Sequence, residues 1–165
     1  SVALTLMLIY IWIRFEWQFS LGAILALFHD VLVTLGLFSL LGLEINLSII
    51  AAVLTIVGYS MNDTVVVYDR VRENLRKFRS KEITSLLNLS INETLSRTIV
   101  TSVTTLLALV SLYIFGGEVI KGFTFAMIWG VLVGTYSSIF VAAPLLTYLD
   151  VKREWNTTTA VDSTK

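Results

Sequence analysis

Three ionisable side chains stand where apolar helices should carry none. Asp63 lies in GYSMNDTVVVY, Asp30 follows His29 in LALFHDVLV, and Arg97 opens the run RTIVTSVTTLLALV. An Asp near the centre of a spanning helix costs about 2.5–3.5 kcal/mol on insertion scales, so such residues usually face a partner or an interior cavity. A carboxyl group facing a guanidinium in a low-dielectric site can act as a proton switch. Burial favours the neutral acid and a nearby Arg favours the anion, so a change in their separation takes up or releases a proton. Each charge carried across the membrane is worth about 2.3 kcal/mol per 100 mV.

Depth supports the pairing. Counted from residue 49, Asp63 is ~21 Å along its helix, in the inner third of the hydrocarbon core. Counted from residue 115, Arg97 is ~27 Å along the next, so the two Cα atoms differ by only ~6 Å in depth. Ser60, about one turn before it, and Thr64, just after, make the surroundings of Asp63 polar on one side only, with Asn62 adjoining it. Beyond Arg97, the residues Thr101, Thr104, Ala108 and Ser111 continue on a single helix face, widened by Thr98, Ser102 and Thr105. This stripe has two readings, close helix packing through small hydroxyl residues or a hydrated lining for ion passage. Asp30 is ~15 Å into its helix, near the midplane, and joins the candidate proton pathway as a weaker member. His29 reads either as a packing residue or as a relay beside it. Two faces compete on this helix, one through Gly22, Ala26, His29, Val33 and Gly36, the other through Ala23, Ala26, Asp30 and Thr34.

The elements that must position these groups follow from hydropathy. The 165-residue chain balances twelve basic residues against twelve acidic ones, yet long apolar blocks alternate with short charged stretches. That segregation is the pattern of a polytopic membrane protein. The balance gives no basic surface for nucleic acid. Cysteine is absent, which excludes a disulfide framework, a thiol nucleophile and a Cys-ligated metal. No cofactor, metal site or catalytic constellation is expected. Apolar blocks at 21–41, 49–68, 98–115 and 123–149 are each long enough to cross a bilayer as helices. A first block at 1–13 offers only ~18 Å of helix against a core of ~30 Å, which reads as a truncated span of something larger. The expected fold is all-α: a bundle of five transmembrane helices over residues 1–150, the first one truncated, then a polar tail at 151–165.

Basic residues set the topology. Arg14, the cluster from Arg70 to Arg97, and Lys152 with Arg153 fall on one side, whereas Lys121 stands alone on the other. The positive-inside rule therefore puts the 69–97 loop and the C-terminus in the cytoplasm. Trp12, Trp17, Tyr68 and Trp155 are expected at the inner boundary as an aromatic belt. Glu73 and Lys77, spaced i,i+4, favour carrying the third block's helix past that boundary. The stretch ITSLLNLSINETL is moderately amphipathic and either lies along the inner surface or packs under the bundle. Gly130 and Gly134 form a GxxxG in a row with Ala126 and Ser137, a helix-contact pattern. Pro144 predicts a kink or local break.

Three motifs carry a resemblance that these patterns alone do not supply. GYSMNDTVVVYDRVREN, NETLSRTIVTSVTTLLALV and FGGEVIKGF resemble the SecF family of membrane subunits of the SecDF protein-export complex, in the resistance-nodulation-division transporter superfamily. The resemblance spans nearly the whole chain, from IRFEWQFSLGAILALFHD to APLLTYL. It implies six spanning helices with a periplasmic domain after the first, this chain holding the second to the sixth. It further implies half of a pseudo-symmetric transporter, paired with SecD beside the SecYEG channel, with YajC as an accessory partner. Such complexes use the proton-motive force to help draw preproteins across the bacterial inner membrane, which they contact through the periplasmic domain. The Asp of GYSxND and the Arg of LSRT serve the proton pathway, which here are Asp63 and Arg97; Asp30 comes from the His-Asp motif. Two other readings stay open: a structural or assembly subunit whose charges lock partner helices, and a proton- or Na⁺-driven small-molecule exporter of the same superfamily.

Overall fold

The computed structural model describes residues 5, 9, 10, 13, 17–78 and 80–149. Helix α1 (Trp17–Leu40) is apolar through every turn. It stops at Gly42, whose φ of 64° lets the Leu43 and Gly42 amides reach back to the Phe38 and Ser39 carbonyls, a Schellman closure. The Asn46 side chain then caps α2 (Leu47–Lys77) by accepting the Ile49 amide at 3.1 Å. Arg76 and Lys77 in its last turn complement the helix dipole. Helix α3 (Ile83–Phe115) follows a short turn where Lys77 and Lys81 both lie over the Phe78 ring. Helix α4 (Glu118–Ser137) starts with an acidic first turn. A π-helical turn, Ser138–Ala142, leads into α5 (Ala143–Tyr148). Pro144 explains the widened turn, because it has no N–H to donate and its ring crowds the preceding turn. The expected kink takes this form.

Four segments are long and apolar enough to cross a membrane: α1, α2, α3, and α4 continued through α5. Among the described residues there is no strand. The chain is therefore a multi-pass membrane protein, all-helical among the described residues. The fifth expected span, at 1–13, and the tail at 151–165 fall largely or wholly outside the described residues.

Helices α2 and α4 form the centre, and α1 and α3 flank that pair. Close approach depends on small residues. A Cβ at Gly130 would collide with every branch of Ile56, and one at Gly134 would lie 3.0 Å from the Ser60 Cβ. The core divides into two apolar clusters. One gathers Phe19, Ala23, Ala26, Val67, Tyr68, Val71, Leu86 and Leu146 toward the basic end of the bundle; the other gathers Phe38, Ile49, Ala52, Ile56, Ala126 and Val131 toward the opposite end. Between them each helix contributes buried polar side chains: Asp30 and Thr34, Ser60, Asp63 and Thr64, Thr98 and Ser102, then Ser137 and Ser138.

Two expectations change. The stretch 69–97, taken from its charges as a loop, is helical except near residues 78–82. The helices continue because they pack on each other beyond the apolar blocks, with Val71 and Asn74 buried on α2 against Leu86, Leu87, Ser90 and Thr94 on α3. The ITSLLNLSINETL segment is thus the start of α3, coaxial with the span. Tyr68, expected in the aromatic belt, is 1% exposed. Its hydroxyl donates to the Ala142 carbonyl at 2.7 Å, its ring meets Phe19 edge-on, and Gly22 leaves the room it needs.

The Gly130 contact makes a direct stability test. Gly130→Ala is expected to lower unfolding stability in detergent by about 1–3 kcal/mol through overpacking. Gly122→Ala, with no neighbouring atom within 4 Å of the added carbon, leaves stability nearly unchanged. Ile56→Val in the Gly130→Ala background recovers part of the loss.

Candidate functional site

The buried face of α1 runs through Ala23, Ala26, Asp30, Thr34 and Phe38, which selects the second of the two faces readable in the sequence. Asp30 is fully buried. Its Oδ2 accepts Ser137 Oγ at 2.8 Å from α4 and also accepts Ser60 Oγ from α2. Its Oδ1 lies 3.1 Å from His29 Nδ1, while the His29 ring is half-exposed on the outside of the bundle. Gly134 lets the α2 backbone approach α4 closely enough for both serines to reach one oxygen. One carboxylate thus ties three helices at a single level, and the donors satisfy it inside a layer that would otherwise penalise it heavily.

Asp63 lies one turn beyond Ser60 on the same helix. It is 4% exposed, and its buried Oδ2 has no hydrogen-bond partner. Native structures pair most buried polar atoms, so an orphaned carboxylate oxygen calls for an explanation. Arg97 is the cation whose field reaches Asp63, yet the two form no ion pair within 4.0 Å. Arg97 itself is exposed on the outer side of α3.

The other sequence candidates divide. Thr64 is buried near Asp63, whereas Asn62 and Thr104 are exposed and Thr101 is half-buried. The stripe from Arg97 through Thr104, Ala108 and Ser111 faces away from the rest of the chain. Its hydroxyls bond back to their own helix, Thr101 to the Arg97 carbonyl, Thr104 to Val100 and Ser111 to Leu107. Of the residues in the most apolar stretch of α3 only 11% are buried, against 50% in that of the span formed by α4 and α5. The inward face of α3 instead carries Thr98 and Ser102, and Ser102 meets Thr135 at 2.7 Å and accepts from Tyr59 at 3.4 Å.

Toward the basic end, a few polar side chains of α2 and α3 pair across the two helices. Arg70 donates to Glu93 and to Glu73, both at 2.7 Å. Asn74 donates to Ser90 at 3.0 Å and to Glu93 at 2.8 Å. Glu93 stands outside the apolar span, and its carboxyl is held below the usual range, first by the Arg70 hydrogen bond and then by that of Asn74. Sequence reasoning missed Ser137 as a donor, Tyr68 as a buried clamp, and the Asn74–Ser90–Glu93 group. Ser137 alone left a signal, its place at the end of the small-residue row on α4. Among the described residues no group of three His, Asp or Glu side chains gathers as a metal site.

Removing either serine donor leaves Asp30 under-satisfied. Ser137→Ala and Ser60→Ala are each expected to cost about 1–3 kcal/mol of stability. Because they share one acceptor, the double variant should depart from additivity, which denaturation of all four proteins in the cycle would reveal.

The chain is similar to known proteins along most of its length. Residues 1–152 match the family described as protein export membrane protein SecD/SecF, C-terminal. The protein translocase subunit SecF of Rhodobacter capsulatus is 57% identical over 151 residues, covering 92% of this chain and 45% of that protein. SecF of Rhodothermus marinus is 64% identical over 150 residues, covering 87% and 49%. The chain spans about half the length of these curated relatives. The crystal structure of SecDF from Thermus thermophilus, a translocon-associated membrane protein, superposes with a TM-score of 0.86 at 49% identity, covering 92% of this chain and 21% of that one. SecDF in its super-membrane-facing form gives a TM-score of 0.84 at 50% identity, covering 89% and 20%. The chain belongs to the SecD/SecF C-terminal family of protein-export membrane proteins.

Proposed function

We propose that this chain is the membrane-embedded part of a protein-export subunit that couples proton flow to preprotein movement across the bacterial inner membrane. It acts as a transport component without catalysis of its own. The single observation that carries the reading is the Asp63 carboxylate, buried with one oxygen unpartnered, within the field of an Arg97 that pairs with no carboxylate among the described residues. A carboxyl group left without a donor in a low-dielectric layer is poised to take a proton, and a mobile cation beside it favours giving that proton up. Motion of Arg97 toward and away from Asp63 then ties protonation to helix rearrangement. Asp30, one helix away and already satisfied by Ser60 and Ser137, holds the level of the layer and is the secondary member of the pathway. Ser60 and Thr64 line the layer; Asn62, Thr101, Thr104 and His29 stand at its margin.

The resemblance to SecDF supports a SecD bundle as the pseudo-symmetric other half. The sparsely buried face of α3 gives that bundle a place to dock, so that the Arg97–Ser111 stripe becomes internal to the assembly. SecYEG, YajC and the preprotein complete the proposed set of partners, the preprotein through a periplasmic domain outside this chain. The positive-inside rule orients the basic end, with the 78–82 turn and the C-terminus, toward the cytoplasm. A second reading, a structural subunit whose intramembrane charges lock partner helices, has its own observation: Arg97 is exposed on the sparsely buried face of α3, where a partner helix would meet it.

Asp63→Asn and Arg97→Gln separate the readings. Coupling predicts an assembled complex whose export falls to the rate seen with the gradient collapsed; a lock predicts dissociation, read by co-purification. Exchanging Na⁺ for K⁺ during translocation into vesicles should leave the rate unchanged if protons are the coupling ion.

A further inference from the structure

Glu93 is absorbed by no step of the coupling reading, yet its surroundings are unusual. Its Oε2 takes both the Arg70 and the Asn74 hydrogen bonds, and nothing among the described residues donates to Oε1. It lies four residues before Arg97 on α3, the i,i+4 spacing at which oppositely charged side chains of one helix can meet. Arg97 is exposed and forms no ion pair with any described carboxylate. Arg97 thus has two carboxylates to consider: Asp63 on α2, which feels its charge, and Glu93, one turn earlier on its own helix toward the basic end.

We infer that Glu93 is the alternate partner of Arg97, a positioning residue that receives the guanidinium whenever it leaves Asp63. This deepens the coupling reading and rests on it. A cation leaving Asp63 for open space would lose its electrostatic stabilisation with nothing to offset it. A second carboxylate within a helical turn gives that state a defined partner, and two discrete arrangements make a switch where one arrangement and disorder would not. Arg70 and Asn74 compete for the same carboxylate, so they set how readily Glu93 accepts Arg97. Lys77 adds its field at Glu93 from the end of α2, and Glu73 offers Arg70 a second acceptor when Glu93 is taken. The pairing of the two motifs then has a purpose beyond stapling α2 to α3.

The test uses the full-length protein with its membrane partners in lipid nanodiscs, its arginines labelled with heavy nitrogen. The Arg97 side-chain signal is identified by its loss in Arg97→Lys. The wild type should show two Arg97 environments, and Glu93→Gln should leave only one. Arg70→Gln should shift the population the other way, toward the Glu93-side state, by roughly threefold or more. In vesicles, Glu93→Gln should slow proton-driven export while Glu93→Asp retains most of it. If Glu93 were only a staple, Arg70→Gln and Glu93→Gln would act on Arg97 in the same direction or not at all, and that result overturns the inference. A single Arg97 environment indifferent to Glu93→Gln, with export still abolished by Asp63→Asn, overturns the inference and leaves the coupling reading standing. Full proton-driven export in Asp63→Asn overturns both.

Discussion

The arrangement depends on placing carboxylates inside a helical bundle whose surroundings cannot solvate them. Each such group must find donors, a cation or a proton. Asp30 takes the first course, with Ser60 and Ser137 converging on one oxygen from two other helices. Asp63, a turn of α2 away from Ser60, does not. The contrast between the satisfied and the unsatisfied carboxylate gives the polar layer its direction. The first fixes where α1, α2 and α4 stand, and the second is left free to respond.

That layer is held in place from both sides. Helix α2 packs against α4 through Gly130, whose open space is filled by the Ile56 side chain, and through Gly134, which sits close against Ser60. On the basic side, the π-turn is bracketed by two contacts from other helices: Ser137 to Asp30 just before it and Tyr68 to the Ala142 carbonyl at its end. Pro144 prevents the regular ladder there, and the hydroxyl of Tyr68 supplies a fixed partner to a carbonyl in the irregular segment. A widened turn anchored in this way is a natural place for a helix to change its path without losing its packing.

Much of this was legible in the sequence because the bilayer imposes a simple rule on hydropathy. The four spans and the helix-contact row on α4 follow from residue type and a rise per residue. What was not legible depended on which neighbour each face would meet. The charges from Asp69 to Arg97 read as a loop because exposed charge looks alike on a loop and on a helix; the buried contacts of Val71 and Asn74 with the start of α3 show the helices continuing. Tyr68 was assigned to the interface by its type and depth, whereas its burial depends on Gly22, which stands on a different helix, α1. The hydroxyl stripe beyond Arg97 was correctly a single face, but nothing in its spacing says that the face turns outward from this chain.

The central claim is that the Asp63 carboxyl gains and loses a proton as the machine works. A hydrophobic carbodiimide reacts with protonated carboxyls in membrane interiors, and peptide mass analysis locates the adduct. Applied to the full complex in sealed vesicles, it should modify Asp63 at a rate that changes when a proton gradient is imposed, and the modified complex should lose gradient-driven export. Modification of Asp63 at the same rate with and without the gradient, or no modification in either condition, would contradict the account.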